Sequence, residues 1–482
     1  MNSKSVVGVV HREVYTYPRR ETLFRPSSAY PEYPFQELSD KTNEVYDMVR
    51  EVFHLLGLDE EHYGSSDWNP LGGLIQPGTS VLIKPNCVME SNHIKENGTD
   101  CLYTNPSVVA AVIDYVCIAL AGKGKIVIGD APMQECRFDV LLEDSGYQKL
   151  IEWYRSQGIN IDIVDFRELS SEVKNGLHIQ HTSDVASGRI IDLGKDSEFY
   201  NEAHSENYRI TNYDPAILNR NHTDTKNEYY VSDYVLDADV IINIPKPKSH
   251  RKAGATIALK NFVGINVRKE YLPHHKLGSK AEGGDEYLKK DAVHHLQSFY
   301  LDKMNSMQFN GKKGTARLLR VIFRTLRCLP HKDKYSEGSW YGNETISKTI
   351  CDLNKIVYFA DKQGIMQNTK QRKILIVADM IVSGEKEGPV APTAKNVGVI
   401  AAGTDQVCFD EAVSRLMGFD SNKIPTLVNA RNTKGQFRIC DNTEPVIASN
   451  DPRWDQKKPN EVLFDESLKF EATSGWKGHI EI

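Results

Sequence analysis

Short apolar runs of strand length alternate with longer apolar or amphipathic stretches along most of this chain. Residues 80–83 are apolar and end in Lys84-Pro85-Asn86. A longer apolar stretch covers 106–121. Asn105 suits its N-cap, Pro106 its first helical position and Gly122 its end, so it predicts a buried helix. Runs at 125–128 and 159–164 predict further strands, with a helix near 139–157 between them. Residues 170–232 are polar and predict an insertion of hairpins and loops, after which the run 240–242 resumes the sheet. Residues 268–342 read as an irregular insertion. A helix at about 343–363, strands at 373–378 and 397–402 and a helix at 409–417 follow. The alternation predicts an α/β protein with mostly parallel sheets flanked by helices. Its expected organisation is two lobes, 1–169 and 233–430, separated by the 170–232 insertion and followed by a loop-rich tail at 431–482.

The strand ends carry the candidate chemistry. They read Lys84-Pro85-Asn86, Gly129-Asp130, Asn243-Ile-Pro-Lys246, Asp379 to Gly384, and Gly403-Thr404-Asp405. Open α/β sheets bind ligands at this rim. After strand 240–242 the chain delivers Lys246, Lys248, His250, Arg251 and Lys252 in one burst, stiffened by Pro245 and Pro247. Lys260 and Asn261 end the next short apolar segment. A stiff cationic loop between apolar segments points to an anionic ligand.

Composition narrows the partners. The net charge of -6 makes the basic loop a local feature, which argues against nucleic acid, since that calls for a broad basic face. The eight cysteines are never closer than fourteen positions, so an iron–sulfur cluster or a thiolate zinc site is not expected. Scattered thiols suit a reduced, cytoplasmic protein. The 482 residues contain no nucleophile-elbow, P-loop or dinucleotide-binding glycine motif. Arg317, Arg320, Arg324 and Arg327 fall on one face of a predicted helix at 315–329, which suits peripheral contact with an anionic membrane.

The segments KPN (84–86), TNPSVV (104–109), GDAP (129–132), NIPKPKSH (243–250), GATIALKNFVGIN (254–266), LPHH (272–275), GGDEY (283–287), ADMIVSGEKEGP (378–389) and GTDQVCFDEAV (403–413) together resemble the family catalogued as domain of unknown function 362. The resemblance spans about 80–430. It is similar to the stand-alone subgroup found beside capsule and surface-polysaccharide genes, because the ferredoxin cysteine spacing of many relatives is missing. The family is also distantly similar in fold to lactate racemase, a two-lobed enzyme with a nickel cofactor. The resemblance implies a site between lobes and, for polysaccharide genes, a sugar- or nucleotide-like substrate.

The expected site follows. Lys84, Lys246, Lys248 and Lys260 hold a phosphate or carboxylate, and Asn86, Asn243, Thr256 and Asn261 orient the ligand by neutral hydrogen bonds. His250 is the expected general acid or base, because its unperturbed pKa is near neutrality, with Asp130, Asp379 and Glu387 as catalytic carboxylates. His274, His275, Asp285 and Glu286 form a candidate divalent-metal set. Two alternatives stand beside an enzyme of this kind: a racemase- or epimerase-like enzyme with a metal cofactor, and a non-catalytic protein that binds anions or a membrane surface. Substrate, reaction and oligomeric state are not readable from the residues.

Overall fold

The structure, a computed structural model, describes residues 4–174, 177–441, 443–462 and 465–482. Ten strands form one sheet: β1 (Lys4–His11), β2 (Ser80–Pro85), β3 (Lys125–Asp130), β4 (Ile161–Asp165), β5 (Val240–Ile244), β6 (Lys248–His250), β7 (Gly254–Thr256), β8 (Lys373–Glu387), β9 (Ala391–Gly403) and β10 (Glu444–Ser449). The order is β10-β1-β9-β8-β5-β2-β3-β4, with the β6–β7 hairpin attached to β8. Pairing is parallel except at β1–β9, β8–β9 and β6–β7. β5 lies between β2 and β8 with Val240 opposite both Val81 and Lys373, so the sheet runs unbroken across the boundary expected near residue 233.

Strand alternation divides the interior. Leu82, Val127, Ile241 and Ile376 face one core, which is closed by helices Thr345–Phe359 and Gln406–Leu416. Val81, Ile83, Ile126, Ile242 and Val377 face the other, closed by helices Glu44–Leu55, Pro106–Leu120 and Tyr147–Ser156. Central strands buried on both faces explain the unbroken apolar runs. The Asn105 side chain caps helix Pro106–Leu120, and Pro106 is its first residue. The helix ends one residue earlier than expected, with Ala121 in the left-handed region at φ 47°.

Two regions differ from the sequence-based expectation, and the tail adds a strand to the sheet. Residues 379–384 are strand and not a rim turn, because β8 continues to Glu387 in a long hairpin with β9. The region 268–342 contains an unexpected helix, Ala292–Phe309, packed on helix Lys313–Arg327, which covers most of the expected 315–329. The tail supplies edge strand β10, and the Trp476 indole N–H donates to the Arg251 carbonyl at 2.8 Å, bracing the β6–β7 turn. Gly254 in that turn has φ +77° and faces the Trp476 ring, so a side chain there would be strained and crowded.

Candidate functional site

The basic burst is split by strand geometry. β5 ends at Ile244, Pro245-Lys246-Pro247 crosses to β6, and β7 returns the chain to the short helix Ala258–Asn261. The Lys246 ammonium turns into the protein. It donates to Asp379 Oδ2 at 2.9 Å and lies 4.9 Å from the centre of the Tyr17 ring. Asp379 also accepts from the Tyr17 hydroxyl at 2.6 Å and the Asn105 N–H at 2.8 Å, and both charged side chains are fully buried. Lys84 behaves alike: its ammonium is 2.6 Å from Asp130 Oδ1 and donates to the Pro85 carbonyl at 2.8 Å. Asp130 Oδ2 accepts the Cys87 N–H at 2.7 Å. Gly264 passes over this pair, where a β-carbon would collide with the Asp130 carboxylate.

Lys248, two residues after Lys246, faces a cavity of about 190 Å³. Arg251, Lys252, Lys260 and Lys269 line it too, with Asp130 and Glu135 as the carboxylates on the wall among the described residues. Asp130 is engaged by Lys84, and Glu135 lies 3.3 Å from His178 Nδ1, a ring that burial pushes toward its neutral form. Lys248 donates to Asn86 Oδ1 and the Leu102 carbonyl, each at 2.6 Å. Asn86 is held in turn by an amide chain. Its amide donates to Asn261 Oδ1 at 3.0 Å, the Asn261 amide donates to Asn243 Oδ1 at 2.7 Å, and the Asn243 amide donates to Gln406 Oε1 at 3.0 Å. Asn243 and Asn261 thus position Asn86 and Lys248. The Lys252 ammonium lies 3.2 Å from the Thr211 hydroxyl and 3.4 Å from His275 Nδ1, and Lys269 donates to the Ala131 carbonyl at 2.6 Å. Lys260 has no partner of its own among the described residues.

Burial first, and neighbouring cations second, make each of these lysines easier to deprotonate. Burial, with Lys246 nearby, lowers Lys248 to about 7. Burial and Arg251 lower Lys252 to about 7, and burial and Lys84 lower Lys260 to about 8. Burial also takes Lys269 to about 7.

The two pocket histidines are set oppositely. His250 Nδ1 accepts backbone N–H groups from Lys252 and Ala253, each at 3.1 Å. Its proton therefore sits on Nε2, and burial with Lys260 and Arg251 holds the ring neutral, well below the usual histidine range. This leaves Nε2–H as the free polar group of His250, a hydrogen-bond donor and a poor fit to the base half of the acid–base role expected of it. His274 Nδ1 donates to the Leu272 carbonyl at 2.8 Å, so its Nε2 carries a lone pair. Burial and Lys252 hold it neutral as well. The Thr256 hydroxyl on the same wall is buried with no partner among the described residues.

Four expected roles are relocated. Lys84 and Lys246 lie outside the cavity lining, in closed ion pairs. Asp379 belongs to one of those pairs, and Glu387 accepts the Ser474 N–H at 2.9 Å away from the cavity. The metal set does not assemble. Asp285 accepts N–H groups from Lys276, Glu344 and Thr345, and Glu286 accepts from Ser298 and Gly278. Their lone pairs are used in fixing loops and the start of helix Thr345–Phe359, and His275 faces Lys252. A dication would also sit among ammonium groups here, so these residues do not fit a metal. Lys252, Lys269, Arg251 and Thr211 went unassigned in the sequence. Lys252 and Arg251 stood in the basic burst, but no local signal places Lys269 or Thr211 beside it.

A family model described as "Domain of unknown function (DUF362)" matches residues 81–193 and 193–415. The chain belongs to the DUF362 family. All of the cavity's lining residues lie inside the matched span. The thylakoid-associated protein sll1697 of Synechocystis sp. is 30% identical over 227 residues, which cover 46% of this chain. The chain spans about half, 51%, of the length of that curated relative. No solved structure matches the chain. Among the described residues no helix is long and apolar enough to cross a membrane.

Proposed function

We propose that this DUF362 protein is an enzyme that binds a phosphorylated or carboxylated small molecule in the lysine-lined cavity and moves a proton on it. The observation that supports this best is the charge on the cavity wall: five basic side chains face two carboxylates, one of which, Asp130, is already paired with Lys84. Lys260 and Lys248 hold the anion as point charges, and the bound anion in turn raises their pKa values. The Nε2–H of His250 and the hydroxyl of Thr256 orient a neutral oxygen. His274 Nε2 is the base, because it has a lone pair and lines the same wall. A lysine near neutral pKa supplies the complementary acid. A sugar- or nucleotide-like ligand in surface-polysaccharide synthesis, handled in the cytoplasm, is part of this proposal. The test is mass spectrometry of small molecules released from purified protein, with phosphate titrations of wild type and Lys260→Met. An anionic ligand and weaker phosphate binding in the variant are expected. A protein that retains nothing anionic and binds phosphate equally well after the change refutes it.

A second reading, peripheral contact with an anionic membrane, draws on the helix pair. Leu318, Val321, Leu296 and Phe299 are 64%, 63%, 48% and 53% exposed beside the basic residues of 315–329. The name of the Synechocystis relative, thylakoid-associated, points the same way. Co-sedimentation with vesicles containing anionic lipid should fall when Leu318 and Val321 become Ser. Binding that ignores this change removes the reading.

A further inference from the structure

A second cavity, of about 550 Å³, lies beside the lysine pocket. Thr211, Asn212 and Arg251 line both, so the two spaces share a wall. The outer wall is the helix pair. Arg320, Phe323, Arg324 and Arg327 come from Lys313–Arg327, and Leu301 and Met304 from Ala292–Phe309. The spacing of the three arginines puts them on one helix face. These arginines line the cavity, and Arg324 and Arg327 are at the same time exposed to solvent, as are Leu318 and Val321. Arg251 and Arg324 form no side-chain ion pair among the described residues, and Arg327 rests 6.0 Å from the centre of the Phe323 ring. Glu337 is the one acid on this wall among the described residues, and it accepts from Thr211 at 3.4 Å.

We infer that this vestibule holds a second anionic group of the same ligand, so that the ligand is an elongated polyanion of diphosphate type. One anionic end sits among the lysines, and the other meets Arg251, Arg324 and Arg327. Guanidinium forks match phosphate oxygens in pairs, which a lysine point charge does not. Leu301, Met304 and Phe323 offer apolar wall for carbon attached to the outer phosphate. The inference rests on the anion pocket proposed above.

The test is calorimetric titration of the full chain with inorganic phosphate and with tripolyphosphate. These probes share their chemistry and differ in reach. Tripolyphosphate should bind at least about tenfold tighter, because its second end binds at high effective concentration. Arg324→Ser combined with Arg327→Ser should abolish that gain and leave phosphate affinity within about twofold. Circular dichroism checks the fold, and Arg327→Ser alone repeats the measurement with one exposed side chain. Equal affinity for the two probes in wild type overturns the vestibule. So does a gain that survives the changes, or a variant that weakens both probes alike. Phosphate binding that survives Lys260→Met, with the tripolyphosphate gain still lost in the arginine variant, overturns the lysine pocket and leaves the vestibule standing.

Discussion

Lys246 and Lys248 are two residues apart and have opposite fates. Lys246 is closed: it pairs with Asp379, both charged side chains are fully buried, and Asp379 also accepts from Tyr17 and the Asn105 N–H. Lys248 is open: it leans on neutral acceptors at a cavity where Lys252, Lys260 and Lys269 also gather. The first arrangement compensates its charge inside the protein. The second leaves charge to be compensated by something from outside. Buried charge with a partner is costly to strand, and buried charge without one marks a candidate place for a ligand.

The largest effect should come from breaking a closed pair. Asp379→Ala strands the Lys246 ammonium and should cost about 3–5 kcal/mol of unfolding free energy in a denaturant titration. Lys260→Met, in contrast, should leave stability unchanged or raised, because it removes an uncompensated cation. The same Lys260→Met change should weaken phosphate binding by about ten- to a hundredfold, read by calorimetry. If both variants lose stability equally, the distinction between open and closed lysines fails.

A third prediction concerns pH and stability. The folded protein releases the open-lysine protons near pH 7 to 8, whereas an unfolded lysine keeps its proton to about 10.5. Between these values the unfolded chain binds more protons, so the lysine contribution to stability rises with pH. Thermal unfolding of the ligand-free protein should show this rise, and Lys252→Met with Lys260→Met should flatten it. The smallest effect is spectroscopic. Nitrogen shifts should report His250 as the Nε2–H tautomer and His274 as the Nδ1–H tautomer. The same tautomer for both rings would undo their assigned roles.

The sheet was legible because its central strands are buried on both faces and so read as plain apolar runs. The far half of β8 was not, since Ser383-Gly384-Glu385-Lys386-Glu387 carries no apolar signal, and only its pairing with β9 makes it strand. Helix Ala292–Phe309 was missed because its apolar residues spread around the axis and leave no stripe. At the site, the basic burst and Lys260 were readable as a cluster of cations, and the structure places Lys248, Arg251, Lys252 and Lys260 on one cavity wall. Which lysines stay open was not readable, because that depends on partners far away in sequence: Asp379 for Lys246, Asp130 for Lys84. The His250 role turned on two backbone N–H groups, which no side-chain pattern encodes.

The central claim is that the cavity's lysines wait partly deprotonated for an anion. Phosphate titration calorimetry at pH 7.5 in buffers of different ionisation enthalpy measures this directly. Binding should take protons up from the buffer, and the uptake should shrink at pH 6, where the lysines are already charged. Phosphate binding with no proton exchange at either pH would contradict the claim.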